Sequence, residues 1–186
     1  MIRPNLAVSI VVGAALCSAS PAAGAPRAAE RYLAPSNACY GQTNPSVGLS
    51  QQAASLRCLV NWARHRHGLR RVGESRLLDR SALMRALEIR RCDDFSHTPC
   101  GNSFTRTFQQ AGYFRGRVRI GENLFWGSGG LGTPSSAIAA WLKSPPHRAN
   151  LLGRGWRDVG VGMVYAPSIF GTSNVWIFVL QFGRRG

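Results

Sequence analysis

Residues 175–182 (VWIFVLQF) limit the possible folds of this chain more than any other segment. They are apolar at successive positions except Gln181, so both faces of the segment need cover, the pattern of a central strand. A strand covered on both sides requires a layer above and a layer below. Stretches with helical spacing come first in the chain and strand-like stretches come last. The expected class is therefore α+β: a three-layer α–β–α sandwich with a small antiparallel sheet between helices.

Leu49, Ala53, Leu56, Val60 and Ala63 form one helical stripe, with Ser50 as candidate cap and Gly68 as candidate stop. A second helix is expected over residues 79–91, with Leu78, Ala82, Leu83, Ala86 and Ile89 facing inward. A third, over residues 103–111, buries Phe104 and Phe108 and stops at Gly112. A fourth opens with Thr133 as cap and Pro134 at the first helical position, buries Ile138 and Trp141, and ends at Pro145. Two further strands are expected over residues 117–126 and 156–165. The first alternates and places Glu122 in line with Val118, Ile120, Leu124 and Trp126, where a carboxylate needs partners. In the second, Gly160 and Gly162 leave one face bare, as when something packs close against the backbone. The glycine-rich loop 127–132 lacks the Lys-Ser/Thr ending of a phosphate loop.

Residues 1–25 read as a secretory signal. Arg3 supplies the positive end, residues 6–17 are apolar, and Ala23-Gly24-Ala25 fits the small-residue cleavage pattern. Cleavage is expected after Ala25, or after Ala22 because Pro26 disfavours the first site. Leu16 is too bulky to make Cys17 a lipoprotein cysteine. No later apolar run is long enough to span a bilayer, so neither a transmembrane anchor nor a multi-span protein is expected. Residues 26–48 read as an irregular arm and residues 49–186 as one folded domain, since 45% hydrophobic residues, with 5 Trp and 8 Phe to bury, exclude general disorder. The expected location is secreted, extracellular or periplasmic.

Export gives the cysteines their meaning. Losing Cys17 leaves 5 − 1 = 4, which allow three pairings in an oxidising compartment. The spacing favours Cys92–Cys100, closing a short loop around His97, and Cys39–Cys58, pinning the arm to the first helix. A four-cysteine zinc site is the rival, but no C-x₂-C pair is present.

The formal charge is +15, from 23 Lys+Arg against 8 Asp+Glu, and every base except Lys143 is arginine. Without Arg3 the balance is 22 − 8 = +14. The pairs Arg70/Arg71, Arg90/Arg91 and Arg184/Arg185 and the triplet Arg115-x-Arg117-x-Arg119 are scattered, and no nucleic-acid-binding motif is visible. For an exported protein this charge points to anionic wall polymers or lipid headgroups rather than to a specific nucleic acid.

Of the histidines, His65 and His67 lie two apart in an arginine-rich helix end and read as solvated surface. His97 lies in 95–98 (FSHT) and His147 in 144–152 (SPPHRANLL), with Gly121-Glu122-Asn123-Leu124 between them. Residues 158–162 (DVGVG) and the final strand follow. In this order, over residues 56–182, these segments resemble the bacterial branch of the CAP superfamily (SCP-like proteins), which includes cysteine-rich secretory proteins, antigen 5 and pathogenesis-related proteins. The resemblance implies an α–β–α sandwich whose cleft holds two His and two acidic residues and binds a divalent metal in several members.

His97, Glu122 and His147 match three of the four cleft positions, and zinc is the first candidate ion. The fourth acid is expected within residues 135–143, where this chain has none, leaving Asp158 as the nearest alternative. Two imidazoles and one carboxylate suit zinc with a water in the fourth position. They equally suit a hydrogen-bonded brace between loop and sheet. Asn123 and Asn150 read as loop-locking side chains before substrate contacts, and Ser144 as part of a turn rather than a nucleophile. Three functions remain open: a secreted binding or scaffold module for a lipid or cell-wall ligand, a metal-dependent hydrolase or peptidase, and a basic adhesion protein. The missing acid favours the module over an enzyme.

Overall fold

The structure, a computed structural model, describes residues 32–186. The expected signal segment and its cleavage points at Ala22 and Ala25 lie outside the described residues. Residues 32–48 run through turns and bends to the first helix. The Cys39–Cys58 bridge ties this arm to that helix, and Cys92–Cys100 closes the loop that carries His97. The two Cα–Cα separations are 5.8 and 5.5 Å, ordinary for a disulfide.

Among the described residues there are five α-helices: α1 (Leu49–Arg66), α2 (Arg76–Cys92), α3 (Arg106–Gln110), α4 (Pro134–Lys143) and α5 (Pro145–Leu151). Helix α1 starts after Gly48 with no side-chain cap, so Ser50 does not cap it. Its inner stripe is Leu56, Leu59, Val60 and Ala63, while Leu49 at the first turn is 51% exposed. Helix α2 begins earlier than Asp79 because the Ser75 hydroxyl accepts the Leu78 amide at 3.4 Å. Leu83 points outward, and the buried stripe includes Arg85 and Glu88 instead. Thr133 caps α4 through the Ser136 amide, as its sequence suggests. Pro145 does more than end α4: it occupies the first turn of α5, where a missing N–H costs nothing.

The sheet has strand order β1-β3-β4-β2, formed by β1 (Gly73–Glu74), β2 (Val118–Ser128), β3 (Asp158–Ile169) and β4 (Thr172–Arg185). Strand β4 is flanked by β3 and β2 and antiparallel to both. The sheet is mixed rather than purely antiparallel, because β1 pairs parallel with β3. Two residues are too few for any periodicity, and β1 is held by context: the Gly73 and Ser75 amides donate to the Arg157 and Val159 carbonyls.

Helices cover both faces, giving the three expected layers. On one face, Val159, Val161, Met163, Phe178, Leu180 and Phe182 form a core with residues of α1, α4 and α5. On the other, Leu124, Val164, Ile177 and Val179 pack against Ala82, Ala86 and Ile89 of α2, and Ile120 joins Leu78, Phe104 and Phe108. Gly160 and Gly162 allow this second layer to form. A Cβ at Gly160 would collide with backbone at Leu78 and Asp79, and one at Gly162 with backbone at Ala82 and Leu83. Helix α2 lies directly on the strand, and the Asp79 carboxylate accepts the Val161 amide at 2.8 Å beyond the end of β1.

Candidate functional site

Glu122 and Asn123 are neighbours on the edge strand β2, so their side chains leave opposite faces of the sheet. Glu122 turns to the α2 layer. Its Oε1 lies 2.7 Å from His97 Nδ1, its Oε2 accepts the Gln181 amide N–H at 2.7 Å, and Arg85 Nε is 3.5 Å from the same Oε2. Asn123 turns to the α5 layer, donating to the His147 carbonyl at 3.0 Å and accepting from the Asn150 amide at 3.0 Å. Trp156 Nε1 closes the chain by donating to the Asn150 carbonyl at 2.7 Å. The two groups thus flank the edge strand β2, His97 on the α2 side and His147 on the α5 side.

Arg85 is the residue that sequence reading missed. Its guanidinium is fully buried and binds Glu88 at 3.2 Å and the Phe104 carbonyl at 2.8 Å, besides facing Glu122. Glu88 in turn accepts the Asn102 amide at 3.2 Å, so loop 93–105 is fastened by polar groups as well as by its disulfide. A signal existed: Arg85 stands three after Ala82 and four before Ile89, on the apolar stripe of α2. Gln181 serves the carboxylate at its own expense, since its Oε1 is buried without a hydrogen-bond partner among the described residues.

The residues expected to act together separate into distinct groups. His97 and Glu122 are in contact. His147 is 4% exposed, and its Nδ1 is 2.8 Å from Ser144 Oγ, so Ser144 orients an imidazole within a turn. Asp158 accepts the Tyr113 hydroxyl at 2.6 Å and takes no part in the cleft contacts; that burial and the Asp158 charge push the Tyr113 phenol well above its ordinary range. Asn123 and Asn150 join strand β2 to helix α5 through these hydrogen bonds. Among the described residues, no group of three or more His, Cys, Asp or Glu side chains is placed to hold a metal ion. Glu122 has both oxygens engaged by protein groups, Oε1 by His97 and Oε2 by Gln181.

Burial, and secondarily the nearby His97, lowers the His147 pKa from its ordinary value. The folded state then resists a proton that the unfolded chain accepts near pH ~6.5. Stability should be level above that pH and fall as pH drops toward the depressed folded value, with a slope of at most ~1.4 kcal/mol per pH unit from this group. Urea titrations from neutral to mildly acid pH should show the decline, and His147→Gln should flatten it. An unchanged slope in that variant would assign the effect to another group.

The fold is an α–β–α sandwich with a His97–Glu122 contact at the edge of its sheet. The family model for the cysteine-rich secretory protein (CAP) family matches residues 58–182, and the chain belongs to that family. Among solved structures, an outer surface protein from Borrelia burgdorferi aligns with a TM-score of 0.61 at 21% identity, covering 75% of this chain and 97% of that one. An extracellular protein containing an SCP domain from Bacillus anthracis aligns at 0.58 and 20% identity, covering 75% of this chain. A cysteine-rich secretory protein from Staphylococcus aureus aligns at 0.55 and 17% identity, covering 73%. This chain spans only 44% and 39% of the length of the last two. No curated protein matches it.

Proposed function

We propose that this protein is an extracytoplasmic binding or scaffold module whose His–Glu cleft is a brace and not a reaction centre. One observation carries the reading: both oxygens of Glu122 are engaged, by His97 and by Gln181 with Arg85 behind it. An acid so occupied is a poor general base, and α4 offers no second acid to replace it. The location is supported by the Bacillus and Borrelia structures, described as an extracellular and an outer surface protein. No helix among the described residues is long and apolar enough to cross a membrane.

Native mass spectrometry of the purified protein, with and without zinc and chelator, alongside ester and peptide hydrolysis assays, tests this reading. The expected result is a ligand retained regardless of chelation and no zinc-dependent turnover. Turnover that chelation abolishes and that Glu122→Gln removes would overturn it. In that case Glu122 must exchange a protein partner for the metal.

A further inference from the structure

The arginines that are scattered in sequence converge in space. Arg70 and Arg71 precede β1, and Arg154 and Arg157 lead into β3. Arg184 and Arg185 end β4, while Arg115, Arg117 and Arg119 enter β2. Strands β1 and β3 run parallel, and β4 runs antiparallel to β3 and β2, so all these segments meet at one end of the sheet. Every one of these arginines is exposed. Buried Arg64 fastens two of the loops together, donating to the carbonyl of Arg70 and to those of Leu151 and Gly153. The Gly186 amide donates to the Arg117 carbonyl, and the Arg157 amide to the Gly183 carbonyl, so the row is continuous across the strands.

None of these guanidinium groups has a carboxylate partner among the described residues, whose ion pairs involve only Arg57, Arg85, His97 and Arg106 as bases. Asp158, the acid within this end, is occupied by Tyr113. Arg119 and Arg184 are direct cross-strand partners, an unfavourable like-charge pairing that a bound anion would relieve. Two of the cations are already positioned on aromatic rings: Arg119 lies 4.6 Å over Trp156, and Arg185 lies 5.0 Å over Tyr113. Arginine presents a planar fork that matches phosphate oxygens in pairs. Among the described residues the exposed large apolar side chains, Tyr40, Leu49, Leu83, Leu87, Leu131 and Tyr165, all belong to other parts of the fold, so these residues give this end no wedge to bury in a bilayer.

We propose that this end of the sheet docks a linear phosphodiester polymer of the cell envelope, gripped through successive phosphates. The envelope source rests on the extracytoplasmic reading above; the phosphate-binding surface does not. The test compares variants of equal charge change: Arg184→Gln/Arg185→Gln and Arg70→Gln/Arg71→Gln within the row, and Arg90→Gln/Arg91→Gln at the far end of α2. Binding of poly(glycerol phosphate) is measured across a salt series, with single-stranded DNA and phosphatidylglycerol vesicles as comparison probes.

Each pair within the row should weaken polymer binding roughly tenfold and lower the salt slope by about 1–2, while the α2 pair changes affinity less than about twofold. Equal losses from all three pairs would overturn the surface in favour of diffuse charge. Tighter binding to vesicles would replace the polymer with a membrane, and tighter binding to DNA would remove the envelope source. Zinc-dependent turnover with polymer binding intact would instead sink the brace reading and leave this surface standing.

Discussion

Arg85→Met is expected to destabilise the protein by about 3–5 kcal/mol, the cost of breaking a buried ion pair from one side. The guanidinium is fully buried and faces Glu122, Glu88 and the Phe104 carbonyl. Removing it leaves the Glu122 carboxylate beside an apolar side chain and strips loop 93–105 of one of its polar anchors. A domain of this kind has only about 5–15 kcal/mol of total stability, so the variant should unfold at far lower urea. Arg85→Lys keeps the charge but not the fork and should recover only part of the loss. Removing Glu122 as well, in Arg85→Met/Glu122→Gln, should cost less than the sum of the single changes, because the stranded charge is gone. Additive losses in that cycle, or a cost below about 1 kcal/mol for Arg85→Met, would mean that the cluster is not an energetic unit.

The second large effect is expected at Gly162. Alanine there places a Cβ against the backbone of Ala82 and Leu83, and backbone cannot rotate aside as a side chain can. Helix α2 would have to lift from β3, opening the core between Ala82, Ala86 and Val164. The cost should reach about 3 kcal/mol, the upper end for overpacking, and adding Gly160→Ala should leave little folded protein. Gly130→Ala is the control. Its Cβ would meet nothing within 4 Å, and thermal melting should hardly move. A small shift for Gly162→Ala would show that α2 can yield, and that the glycine pair is not what sets the spacing of helix and sheet.

Much of this architecture was legible because burial on two sides leaves a strong mark. The run at residues 175–182, the bare glycine face of β3 and the acid in line with Ile120 and Leu124 each forecast a contact that the structure contains. What escaped notice was written in weaker signals. Strand β1 is two residues long and exists because the Arg157 and Val159 carbonyls await donors. Helix α5 was hidden by Pro145, whose usual meaning as a stop is reversed when a new helix starts in the same turn. Arg85 was passed over because a charged residue on an apolar stripe reads as an exception until its partners from β2, α2 and loop 93–105 are brought together. Leu49 and Leu83 erred in the other direction, since periodicity alone does not say how wide the buried stripe is. The docking row was invisible for a simpler reason: its arginines are far apart in sequence, and only the strand order makes them neighbours.

That strand order also bears on how the molecule comes into being. Strand β4 is the last of the four to be synthesised, yet β3 and β2 each pair with it and not with each other. Until β4 emerges, β3 has only the two-residue β1 to pair with, and β2 has no strand beside it. A chain cut before Thr172 would therefore leave β2 unconnected to the rest of the sheet, and such a truncation is expected not to reach this fold.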